Sequence, residues 1–355
     1  MSVKEYQPFL EMPSSLLWEI LGRVPIKTCL ACKLVCKEWY RNVISPEFSS
    51  FRRHCIPSRF TIVFHEDRGC GPTFNFVEIE KTLDVDASGN CTLGIHDQMM
   101  VDPKIGSNGK YWYVRSHCNG VCFLSTKNDN FICNLLTGQH VYLQNQYFCG
   151  SELGYCPVLG QFKLLILLWD KRKKFQFAKI QTLGNGEWKS LGNAPLNIMQ
   201  AGCFLNGSSH WCGDNCIWFF HFGEEKFSQI PIPSPDFDVP KTFKKKTKTL
   251  SIFDSCLCLS CFTGSGCVKI DIWIMKEYGV KESWVRQLVI VHDAWSVPLM
   301  PMDNGKILIE SGNQLYLYDL ESHVSKRVNF NHNGYQRVVL PVGFDARFSR
   351  FDKFI

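Results

Sequence analysis

A chain of 355 residues with 45% hydrophobic, 14% aromatic and 20% charged residues has room for one large globular domain and a small one. That composition excludes wholesale disorder and fibrous repeats. The net charge of +6 is too mild for a dedicated nucleic-acid binder.

The opening residues lack an apolar core of signal-peptide length. The most apolar run, 164–169, is far short of the roughly 20 residues that cross a bilayer. The expected location is cytoplasmic, nuclear or both, with no membrane partner. In such a compartment the 18 cysteines are reduced thiols. Cys29, Cys32 and Cys36 fall in a helical pattern without a second pair at finger spacing. Cys256 and Cys258 share one face of a strand-like run, and Cys203, His210, Cys212 and Cys216 form the other mixed group. These are expected as small core side chains, with no metal and no cofactor.

In chain order, Pro13 opens a helical series carrying Leu16, Leu17, Ile20, Leu21 and Val24, which Pro25 breaks. Ile26, Cys29, Leu30 and Leu34 form a second series, and Val35, Trp39 and Val43 a third. Ser45-Pro46-Glu47 reads as a cap, a first-turn proline and a first-turn acid, opening a last short helix that ends near His54. Residues 12–44 hold 19 hydrophobic residues in 33, a surplus that so small a module cannot bury alone. It must pack on the rest of the chain or on a partner, and composition does not choose between them.

Beyond residue 58 the pattern changes to short β runs, at 60–64, 74–79, 111–114, 163–169, 175–181, 217–222, 249–253, 268–275, 306–310 and 314–319. Val268, Ile270, Ile272 and Ile274 alternate onto one face, and Leu315 and Leu317 oppose Tyr316 and Tyr318. Gly184-Asn185-Gly186, Asn206-Gly207 and Asp303-Asn304-Gly305 have hairpin chemistry. About 300 residues of short strands point to a propeller or a large sandwich. The fold class expected is therefore α+β: an all-α module at 1–56 and a large all-β, propeller-like domain at 57–355. The basic groups Lys171–Lys174 and Lys241–Lys248 sit between β runs and are expected as solvated loops.

The stretch Met12-Pro13-Ser14-Ser15-Leu16-Leu17-Trp18-Glu19-Ile20-Leu21-Gly22-Arg23-Val24-Pro25-Ile26-Lys27, followed by Leu34-Val35-Cys36-Lys37-Glu38-Trp39, resembles the F-box, with Met12 in place of the usual leucine. Cys118-Asn119-Gly120-Val121-Cys122-Phe123-Leu124, Cys133-Asn134-Leu135-Leu136-Thr137-Gly138 and Ile272-Trp273-Ile274-Met275-Lys276-Glu277-Tyr278-Gly279 are similar to motifs of the F-box-associated domain of plant F-box proteins. Leu135 and Cys156 replace a usual proline and aspartate, leaving those turns open, and 57–110 matches poorly.

The resemblance implies a three-helix F-box, a propeller-like domain and membership of a Skp–cullin–F-box ubiquitin ligase. The positions matching the family's adaptor contacts are Pro13, Leu16, Ile20, Leu21, Val24, Ile26, Leu30, Val35 and Trp39. Leu17 and Val43 are read as internal supports. Implied partners are a Skp-type adaptor, through it cullin and RING subunits, and a target protein. Trp295 and Tyr335 are candidate anchors for that target. No nucleophile elbow, phosphate loop or zinc-protease helix is present, so no enzymatic role is expected. The competing readings are a propeller scaffold in a non-ligase F-box assembly and a nucleic-acid binder using the lysines at 241–248.

Overall fold

The computed structural model describes residues 12–55, 59–67, 72–85, 91–105, 112–143, 148–172, 174–195, 198, 202–233, 247–264, 268–312, 314–328 and 336–340. Four helices come first: α1 (Ser14–Arg23), α2 (Ile26–Cys32), α3 (Lys37–Val43) and α4 (Pro46–Cys55). Pro13 and Pro25 stand just before α1 and α2, where a missing N–H costs no hydrogen bond. The Cys36 sulfur accepts the Trp39 N–H at 3.5 Å to cap α3, and the Ser45 hydroxyl accepts the Phe48 N–H at 3.1 Å to cap α4. The three expected helical series are thus joined by the fourth short helix that the cap at Ser45 announces.

The remaining described chain forms six antiparallel four-stranded sheets, the blades of a propeller. Blade 1 holds 59–101, blade 2 113–143, blade 3 150–193, blade 4 203–231, blade 5 247–292 and blade 6 296–327. Blade 1 takes its first strand, Gln336–Leu340, from the far end of the chain, where it pairs antiparallel with Arg59–Asp67 and closes the ring. The described part of the poorly matching region 57–110 is therefore a full blade of the ring. A sandwich, the other architecture the β runs allowed, is ruled out.

Apolar clusters fill the gaps between neighbouring blades. Leu164 and Ile166 face blade 2, while Leu165 and Leu167, on the other face of the same strand, meet Trp211 and Phe220 of blade 4. A strand wedged between two blades is covered on both faces, and the continuous run at 164–169 follows from that. The expected alternations hold as well. Ile270, Ile272 and Ile274 face Ile307 and Ile309 of blade 6, and Leu315 and Leu317 turn toward blade 1 while Tyr318 turns to blade 5. Cys29, Cys133 and Cys258 lie in this core, where burial pushes each thiol up to about 12 and keeps it protonated.

Local chemistry sets the turns. Asn206-Gly207 and Asn304-Gly305 both adopt positive φ, 49° and 73° in the first pair and 58° and 67° in the second. Where a proline is missing at Leu135, the Asn134 side chain accepts the Leu136 and Thr137 N–H groups at 3.0 and 3.2 Å and builds the turn itself. At Gly154, a Cβ would lie 2.1 Å from the Phe222 ring, so only glycine lets blades 3 and 4 meet there.

Two buried polar links join the same blades. Glu152 accepts the Gly202 N–H at 2.6 Å and the Trp211 indole N–H at 3.3 Å. Lys163 donates to the Phe222 carbonyl at 3.0 Å and to Glu225 at 2.6 Å.

Candidate docking surfaces

The helical surplus is divided between two destinations. Leu17, Leu21, Ile26, Cys29, Val43 and Phe48 are buried in one cluster with Val63, Phe74 and Phe76 of blade 1 and Cys122 and Leu124 of blade 2. The module thus rides on the junction of blades 1 and 2. A polar link seals the contact. The Arg52 guanidinium donates to the carbonyls of Leu21 (2.7 Å), Gly22 (3.2 Å) and Val24 (2.7 Å), satisfying the C-terminal end of α1. Its remaining partner is Glu78 of blade 1, 3.4 Å away, whose other oxygen accepts the Ile26 N–H at 3.1 Å. A cation therefore faces the negative end of α1, an anion the positive end of α2, and the two charges pair with each other.

What stays outside is a set of apolar side chains on α1 and in the turn after α2. Leu16 and Ile20, four residues apart on α1, are 55% and 48% exposed, and Pro13 is exposed one turn earlier. Leu34 and Val35, in the turn between α2 and α3, are 88% and 60% exposed. Glu19 and Arg23 flank those on α1 with an ion pair at 2.8 Å.

Among the residues expected to touch an adaptor, Pro13, Leu16, Ile20 and Val35 thus face outward. Val24, Leu30 and Trp39 are half-buried against the cluster. Leu21 and Ile26, at 1% and 4% exposure, lie wholly within the chain's own core, because the blade 1–2 junction covers the inner stripe of α1 and the start of α2. Leu34 was missing from the expected contacts. It closes the second helical series, but α2 stops at Cys32 and leaves it in the exposed turn.

The propeller offers a second surface. Within a blade the strands alternate in direction, so the start of the first strand, the second hairpin and the end of the fourth strand share one end. The three-residue connection 293–295 runs from the end of blade 5 to the start of blade 6, so successive blades present that end on the same side. This start rim carries Trp295, 54% exposed, its indole stacked on Phe262 at 5.0 Å and 12°. The Trp295 carbonyl accepts the Ser311 hydroxyl at 3.2 Å, fastening the loop.

Trp169 is also exposed on this rim, beside the turn at Lys171, Arg172 and Lys174. At the start of blade 2, the Arg115 guanidinium lies 5.1 Å from the Tyr113 ring and 5.9 Å from the Phe148 ring, and its Nε donates to the Ser125 hydroxyl at 2.6 Å. Sequence reading passed over this trio. Tyr113 and Arg115 show the i, i+2 spacing of one strand face, but nothing in the sequence brings Phe148 beside them. Tyr335 and the lysines at 241–246 lie outside the described residues. Among the described residues no group of three or more His, Cys, Asp or Glu is placed to hold a metal ion, and no helix is long and apolar enough to cross a membrane.

Comparison with known proteins follows this division of the chain. The F-box domain family matches residues 9–51, and the F-box associated beta propeller domain family matches residues 59–340. From Arabidopsis thaliana, F-box protein At3g07870 is 24% identical over 79% of this chain and 72% of its own length. F-box/kelch-repeat protein At3g23880 is 22% identical over 87% of each. Among solved structures, apo AztD from Citrobacter koseri aligns over 78% of this chain and 82% of its own, at 9% identity and a TM-score of 0.40. Helices that carry the F-box match, seated on a ring that carries the propeller match, leave one assignment: the chain belongs to the F-box proteins with an F-box associated β-propeller.

Proposed function

We propose that this protein is the substrate-recognition subunit of a Skp–cullin–F-box ubiquitin ligase. The outer set of Pro13, Leu16, Ile20 and Val35, extended by Leu34, docks on the Skp-type adaptor, and the propeller holds the target. Leu21, Val24, Ile26, Leu30 and Trp39 support that set from beneath. The observation that carries the reading is the split of α1: Leu17 and Leu21 are sealed inside, whereas Leu16 and Ile20 stay exposed on a module already fixed to its own propeller. An apolar helix stripe of this kind suits a partner's groove, where a few anchors dominate affinity.

The subunit itself does no chemistry. It raises the concentration of a target beside a ubiquitin-charged partner, and cullin and RING subunits join through the adaptor.

Pull-down with a purified Skp-type adaptor and cullin tests this. The wild-type chain should retain both. Ile20→Asp should lose both, because the complex would bury an unpaired charge in an apolar groove. Adaptor retention by Ile20→Asp would remove the docking assignment, and capture of adaptor without cullin would favour a non-ligase scaffold.

A further inference from the structure

The two rims of the propeller differ in chemistry, and the difference identifies a kind of partner. On the rim where first strands end, three bases are consumed internally. Lys163 and Lys189 both pair with Glu225 at 2.6 Å, and Lys306 pairs with Asp319. The exposed large side chains of that rim include Val158, Leu159, Tyr278 and Val324, and its exposed Lys226, Lys276 and Lys281 lie among the exposed acids Glu187, Glu224, Glu277, Glu282 and Glu321.

On the start rim exposed bases outnumber exposed acids. Arg115, Lys171, Arg172 and Lys174 have no carboxylate partner among the described residues; Tyr113 and Trp169 are exposed beside them, and Met100, Tyr142, Val291 and Trp295 are exposed elsewhere on the rim.

We propose that the start rim is the target-binding face and that it receives a carboxylate-rich peptide segment. This rests on the receptor reading above and adds the chemistry of the target to it. Arg115 is the prepared element. Its guanidinium is held beside two rings and oriented by Ser125, which leaves the terminal N–H fork for a carboxylate at little ordering cost. Trp169, beside the basic turn, and Trp295, stacked on buried Phe262 across the ring, supply exposed apolar anchors on the same rim.

Nucleic acid is the less suitable occupant. Exposed Asp214 and Asp293 interrupt the same rim and would meet a continuous phosphate backbone. A peptide can set neutral residues opposite them.

Fluorescence anisotropy on the full chain provides the test, with three probes. They are a fluorescein-labelled peptide of repeated Glu-Glu-Phe-Gly-Ser units, the same peptide with Lys for Glu, and single-stranded oligothymidine of matching length. The acidic peptide should bind at least about tenfold more tightly than the basic one, with affinity falling as salt rises. The double variant Arg172→Glu with Lys174→Glu, confined to an exposed turn, should weaken it about tenfold. Arg115→Lys, which keeps the charge and loses the fork, should weaken it by a smaller factor, and Val158→Ser on the opposite rim should change nothing.

Equal binding of the two peptides, indifference to the start-rim variants, or tighter binding of oligothymidine would each overturn the proposal. If the wild-type chain still captures adaptor and cullin in those cases, only the target chemistry fails. If it captures neither, the receptor reading fails instead.

Discussion

In α1, Leu17 and Leu21 are sealed while Leu16 and Ile20, each one position earlier, remain outside; in the strand Gln161–Asp170, Leu164, Leu165, Ile166 and Leu167 are all sealed. Both segments are strongly apolar, and their surroundings account for the different outcome. A strand between two blades has two covered faces, so its whole run is used within the chain. A helix on the flank of the ring has one covered stripe, and apolar residues off that stripe stay available for another polypeptide. The boundary between internal and external use therefore runs through single helices rather than between domains.

The sharpest way to break the comparison is to release the module from the ring. Arg52→Ala would leave Glu78 buried without its cation and three α1 carbonyls without a donor. A loss of about 3–5 kcal/mol is expected, read as a lower midpoint in urea unfolding. A change below about 1 kcal/mol would mean that the apolar contacts alone hold the module.

Within the propeller, Gly154→Ala should cost about 1–3 kcal/mol, since the Phe222 ring is itself buried and has little room to retreat. Thermal unfolding beside a neighbouring control such as Ser151→Ala would separate this clash from general sensitivity of the strand.

Glu152 links the blade 3–4 junction to pH. Burial pushes its carboxyl from 4.5 up to about 8, against the two N–H donors that favour the anion. The folded chain then holds a proton that the unfolded chain releases. Stability from this group is full below about pH 4.5 and falls as pH rises to about 8, by roughly a kcal/mol per pH unit. Glu152→Gln should flatten that slope in denaturant titrations from pH 5 to 8; an unchanged slope would show that the carboxyl is ionised throughout.

The smallest effect on folding should come from the outer apolar set. Leu16→Ser with Leu34→Ser removes exposed apolar surface only, so stability should move by no more than about 0.5 kcal/mol while binding of a hydrophobic dye falls. A larger destabilisation would place these side chains in the core after all.

Much of the architecture was legible in the residues. The prolines and Ser45 marked the helix starts, the alternation at 268–274 marked a sheet face, and Asn-Gly pairs marked hairpins, because each is a local preference expressed over a few bonds. The seat of the module was not legible. Arg52 and Glu78 are 26 positions apart, and each alone reads as an ordinary surface charge. The Arg115 trio was hidden for the same reason, since Phe148 reaches it from the connection into the next blade. Ring closure by Gln336–Leu340 likewise depends on two ends of the chain meeting.

From the sequence by itself came the division into helices and blades, the family resemblance and an excess of apolar helical surface, all written in periodicity and ordered motifs. Tertiary structure alone decided how that excess is shared between the ring and the outside, and which charges gather on each rim. Burial and ion pairing are properties of neighbours in space, and a chain order cannot state them until the ring is closed.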